Sequence, residues 1–92
     1  MHDWTLVSLS IDWAEATIDI TFKNGTSNQV CLVAEGLSGL RLSKREPWGE
    51  SSSVNEVEGP NSLDNGNKYI CIEIQSGDKI EIEAKSISVP AG

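Results

Sequence analysis

YICIEIQSGDKIEIEA, residues Tyr69 to Ala84, reads as one β-hairpin whose register follows residue by residue. Ile70, Ile72 and Ile74 alternate with Tyr69, Cys71, Glu73 and Gln75, and beyond the turn Ile80, Ile82 and Ala84 alternate with Lys79, Glu81, Glu83 and Lys85. Period two in β-branched residues marks a strand with one buried face. For the isoleucines to share that face, facing residue numbers must have an even sum. A three-residue loop Gln75-Ser76-Gly77, a type I turn closed by a left-handed Gly77, meets the condition. Ile72 then faces Ile80, Ile70 faces Ile82, and on the other face Glu73 falls opposite Lys79 as an opposite-charge pair.

The same parity argument extends toward the N-terminus. Thr5 to Asp12 places Val7, Leu9 and Ile11 on one face, and Thr17 to Lys23 places Ile18, Ile20 and Phe22 on one face. A four-residue loop Trp13-Ala14-Glu15-Ala16 sets Ile11 against Ile18 and Leu9 against Ile20. A two-residue turn at Asn24-Gly25 would point Cys31 and Val33 inward, whereas a five-residue loop Asn24 to Asn28 points Val30, Leu32 and Ala34 inward; the second is preferred because it sets three apolar residues against Ile18, Ile20 and Phe22. The strand Gln29 to Glu35 is apolar on both faces, so it is central or covered. Gly36 and Gly39 interrupt it, and a short strand with Leu40 and Leu42 follows. Ile87 and Val89 are out of phase with Ile80 and Ile82, which predicts a bulge or bend near Lys85-Ser86.

Residues Glu46 to Asn67 show little periodicity and hold Pro47 and Pro60. This stretch is expected to be a long irregular excursion, with a short helical turn at Ser53 to Glu56. The expected fold is a single all-β domain over residues 1–92. It is an antiparallel sandwich or a strongly bent, partly closed sheet of six to seven short strands.

Composition limits the function classes. Fourteen acidic residues stand against 7 basic ones, a formal net charge of −7. Such a surface repels nucleic acid and anionic membrane, and it suits a basic protein partner. No apolar run is long enough to span a bilayer and no basic-then-apolar segment opens the chain, so the expected location is cytoplasmic. Cys31 and Cys71 match neither a redox pair nor a zinc cluster, and they read as buried thiols in a reducing compartment.

Catalytic constellations do not emerge. His2 is the sole imidazole and sits at a terminus, where a preorganised base is hard to build. The pairs Glu81/Glu83 and Glu56/Glu58 read as solvated faces rather than as the converging carboxylates of a glycosidase. Asp64-Asn65-Gly66 lacks the further ligands of a calcium loop, and no phosphate-binding or nucleophile motif occurs. The expectation is therefore a non-enzyme with no catalytic residues, no metal site and no cofactor.

Three tryptophans accompany one Phe and one Tyr. Trp4 precedes the first strand, Trp13 sits in a hairpin turn, and Trp48 heads the long excursion. They either plug the ends of a small core or anchor a contact surface. The binding candidates on the second reading are Trp48, Glu50, Asn55, Trp4 and Trp13.

His2-Asp3-Trp4-Thr5-Leu6, Asp12-Trp13, Pro47-Trp48-Gly49-Glu50-Ser51 with Val54-Asn55, and Gln75-Ser76-Gly77-Asp78 resemble segments of small bacterial proteins of unknown function. Those are themselves similar to immunity proteins of bacterial toxin systems. The resemblance implies an intracellular, non-enzymatic β protein that binds another protein. Two alternatives stand beside it. One is a structural homo-oligomer, a homodimer formed through an edge strand or an apolar face, suggested by the doubly apolar strand Gln29 to Glu35. The other is a carbohydrate- or small-ligand-binding domain using the Trp48 region.

Overall fold

The structure is a computed structural model that describes residues 4–43 and 53–90. Among the described residues there are six strands: β1 (Thr5–Asp12), β2 (Thr17–Lys23), β3 (Gln29–Leu42), β4 (Val54–Ser62), β5 (Lys68–Ile74) and β6 (Lys79–Ser88). They form one antiparallel sheet of order β1-β2-β3-β6-β5-β4. Two meanders, β1-β2-β3 and β4-β5-β6, are thus joined along β3 and β6. The all-β expectation holds, and of the two arrangements the bent, partly closed sheet is the one adopted.

The bend brings the two outer strands together at one end. Thr5 bridges Ser53, and the Val54 N–H donates to the Trp4 carbonyl at 2.7 Å. Beyond that contact β1 and β4 do not pair, so the sheet is not a closed barrel. The bent sheet encloses a single core. Ile18, Ile20 and Phe22 of β2 and Leu32 and Ala34 of β3 pack in one cluster with Ile70, Ile72 and Ile74 of β5 and Ile80, Ile82 and Ala84 of β6. Burying each isoleucine contributes about 1.5–3 kcal/mol, so this one cluster carries the fold.

The hairpin registers follow the parity argument. Ile72 faces Ile80, Ile70 faces Ile82 and Glu73 faces Lys79. Gly77 takes φ 94°, and its N–H closes the turn onto the Ile74 carbonyl at 2.8 Å. Ile11 faces Ile18, Leu9 faces Ile20, and Ile18, Ile20 and Phe22 face Ala34, Leu32 and Val30. Asn24 organises the β2–β3 turn by accepting bonds at Oδ1 from the Thr26 and Asn28 N–H groups, both at 3.0 Å. The expected phase slip at Lys85-Ser86 is present, both being exposed between buried Ala84 and half-buried Ile87, but β6 continues through it and the register shift lies on the facing strand, between Leu37 and Gly39. Gly36 lies opposite Lys85 at φ 67°, where an added Cβ would stand 2.8 Å from the Lys85 Cβ. A side chain would not fit there.

Four expectations are corrected. Residues 29–42 form one 14-residue strand rather than two short ones; Gly36 and a bulge between Leu37 and Gly39 bend it without ending it. Residues 54–62, expected to be irregular with a helical turn, form strand β4. Val7 leaves the inward face because a bulge lies between Leu6 and Ser8. Cys31 is exposed and Cys71 half-buried, since both occupy the outward phase of their strands.

Candidate functional site

Register assembles the outer face of β3, β6, β5 and β4 into cross-strand rows. Arg41, Glu81, Cys71 and Glu58 form one row; Lys79, Glu73 and Glu56 form the next; Gly39, Glu83 and Tyr69 form a third. Five glutamates therefore share one sheet face with Arg41 and Lys79. Cross-strand neighbours on one face stand about 4.5–5.5 Å apart, close enough for like charges to repel unless something opposes them.

The face supplies that opposition with hydrogen bonds. Glu83 Oε2 accepts from Asn67 Nδ2 at 2.8 Å, Asn65 Nδ2 at 3.2 Å and Ser38 Oγ at 3.2 Å. Asn67 and the other donors stabilise the charged carboxylate and hold Glu83 below the usual carboxyl range. The β4–β5 turn is shaped for this, because Asn65 Oδ1 accepts the Asn67 N–H at 2.9 Å and so orders the segment that carries both amides. Tyr69 Oη donates to Glu81 Oε1 at 2.7 Å. That bond, and after it partial burial, pushes the phenol well above its usual range. Burial, then the Glu81 charge, also pushes the Cys71 thiol up. Arg41 Nε lies 3.9 Å from Glu81 Oε2, a loose, exposed pair worth little in water.

Two shallow depressions open on this face. One, of about 310 Å³, lies between Arg41, Tyr69, Glu81 and Glu83. A smaller one, of about 50 Å³, lies between Glu56, Glu58, Cys71, Glu73 and Lys79. Neither is a deep cleft. A face of ordered carboxylates with a phenol and a guanidinium can grip lysine and arginine side chains. The described residues hold no group of three or more His, Cys, Asp or Glu placed to bind a metal ion. No helix among them is long and apolar enough to cross a membrane.

The residues singled out from the sequence are dispersed. Trp4 is 6% exposed and packs on Phe22 with ring centroids 5.9 Å apart, as a plug where the two outer strands meet. Trp13 is 90% exposed at the β1–β2 turn, above a small apolar hollow lined by Ile11, Ala16 and Leu37. Asn55 lies on β4 and its Nδ2 donates to Glu73 Oε1 at 2.8 Å, which joins it to the acidic face. Trp48, Glu50 and His2 lie outside the described residues. The sequence pattern does not group the glutamates with Tyr69, because residues 54–62 lack a strand period and so give Glu56 and Glu58 no place beside Glu73. The Val54-Asn55-Glu56-Val57-Glu58 run carried the signal, but its bulge at Asn55 puts Val54 and Val57 out of phase.

The sequence matches no protein-family model and no curated protein. Among solved structures, the crystal structure of an uncharacterized protein from Neisseria gonorrhoeae is similar, with a TM-score of 0.65 over 96% of this chain and 90% of that one at 14% sequence identity. A likeness at that identity concerns the fold alone.

Proposed function

We propose that this chain is a non-enzymatic, immunity-like protein-binding module of the bacterial cytoplasm, and that its acidic outer face receives a basic partner protein. The observation that supports this reading is the convergence of Glu56, Glu58, Glu73, Glu81 and Glu83 on one sheet face, where Arg41, Lys79 and Lys85 are the basic residues among the described ones. The net charge of −7 extends the same field over the molecule and speeds encounter with a positively charged surface. It equally disfavours nucleic acid and anionic membrane. Hydrogen bonds to Glu81 and Glu83 hold their carboxylates oriented before any partner arrives, which lowers the ordering cost of binding.

Affinity capture from the native lysate tests this reading. The wild-type chain is expected to retain a basic protein at low salt and to release it at high salt. The triple variant Glu56→Gln, Glu73→Gln, Glu81→Gln is expected to retain none. Equal recovery with both chains would contradict the proposal.

A further inference from the structure

The acidic face leaves the opposite side of the sheet unexplained. Exposed sheet edges template pairing with other chains, and proteins blunt them with charges, prolines and bulges. Strand β4 carries all three: Glu56 and Glu58, Pro60, and register shifts at Val54/Glu56 and Glu58/Asn61. Strand β1, Thr-Leu-Val-Ser-Leu-Ser-Ile-Asp, carries one charge, Asp12, and one bulge, at Val7. Among the described residues β1 pairs only with β2 and, at Thr5, with Ser53. From Ser8 to Asp12 its other side is regular and has no strand partner among the described residues. The large apolar side chains exposed along this strand and its turn are Val7 at 46%, Ile11 at 46% and Trp13 at 90%.

We propose that two copies of this chain join edge to edge through β1, antiparallel, about a two-fold axis at Ser10. This register uses the whole regular segment. Leu9 of one copy falls opposite Ile11 of the other, Ser10 meets Ser10, and Ser8 falls opposite Asp12, a hydroxyl facing a carboxylate. One step further out, Val7 falls opposite Trp13. Each exposed apolar position of the strand thus meets an apolar position, and the strand's one carboxylate meets no other carboxylate. Charge is the reason to choose a second copy over a basic partner. With a single carboxylate on this edge, a cationic segment finds almost nothing to recognise, whereas two copies of a −7 chain can approach here without setting acid against acid. Pairing β4 with itself about Val57 would do the reverse and set Glu56 against Glu58. A β1 dimer is closed by its two-fold symmetry, and it leaves both acidic faces open.

Sedimentation velocity over a concentration series tests the dimer. Wild-type protein is expected to dimerise reversibly, and Kd is expected to fall as salt screens the repulsion between the copies. Ser10→Lys, which opposes two ammonium groups at the axis, is expected to give a monomer with an unchanged far-UV spectrum and the melting temperature of dilute wild-type protein. Trp13→Ala, at an exposed turn, is expected to raise Kd about tenfold or more without affecting the fold. A wild-type monomer at every concentration would overturn the proposal. So would a dimer that both variants leave intact, or one that dissolves as salt is added.

Discussion

Strand β1 closes one side of the sheet with Asp12 as its only charge, and strand β4 closes the other with Glu56, Glu58, Pro60 and two bulges. Behind these unlike borders the interior is alike. Ile18 and Ile20 in one meander and Ile70 and Ile72 in the other are completely buried in one cluster. The difference teaches that the inward phase of each strand specifies this fold and the outward phase specifies what the sheet meets. Outward residues in the β1–β3 meander mix hydroxyls such as Ser8, Ser10 and Thr21 with charges of both signs, Asp12, Asp19, Lys23, Glu35 and Arg41; in the β4–β6 meander five glutamates stand beside Tyr69, Cys71 and two lysines.

The largest effects should fall where the two halves are the same. Ile20→Ala and Ile72→Ala each empty a fully buried site, and each is expected to lower stability by about 2–5 kcal/mol in chemical denaturation. Both variants should unfold in one cooperative transition. Two separate transitions would mean that the meanders are independent units.

Removing the guards on β4 should abolish the contrast between the borders. Glu56→Thr with Glu58→Thr is expected to make that edge adhesive, with light scattering showing growth beyond a dimer. A variant that scatters like wild type would show that the bulges and Pro60 protect the edge without the charges.

Tyr69→Phe deletes the hydrogen bond to Glu81 and is expected to cost about 1 kcal/mol, read as a lower denaturation midpoint with an unchanged slope. The smallest effect is on acid sensitivity. Glu83 is held below the usual carboxyl range chiefly by Asn67, so its contribution to stability is present above the unfolded-state pKa and is lost as pH falls through the folded one. Asn67→Ala is expected to raise the Glu83 pKa in an NMR titration and to shrink that acid-side loss. A Glu83 titration identical to wild type would show that Asn65 and Ser38 suffice.

The hairpin Tyr69 to Ala84 was readable to the residue because Ile70, Ile72, Ile80 and Ile82 alternate without a break and Gly77 admits one loop length. Alternation likewise gave the β1–β2 register from Leu9 to Asp12, up to the bulge at Val7, and matching Val30, Leu32 and Ala34 to Ile18, Ile20 and Phe22 gave that of β2–β3. Strand β4 was not, because shifts beside Asn55 and around Gly59-Pro60 destroy the period that announces a strand. The acidic face was lost with it: Glu56 and Glu58 acquire meaning only when β4 is laid against Glu73 and Cys71. The tryptophans show a second limit. Trp4 and Trp13 both flank β1, yet one is buried on Phe22 and the other is 90% exposed. That outcome depends on where the two sheet edges meet, which no local pattern encodes.

The inequality of the two borders is tested most directly by amide hydrogen exchange on dilute and concentrated wild-type protein. The expected result is protection that rises with concentration at Ser8 to Asp12 of β1 and stays constant along Val54 to Ser62 of β4. Concentration-dependent protection along β4, or none on β1, would contradict it.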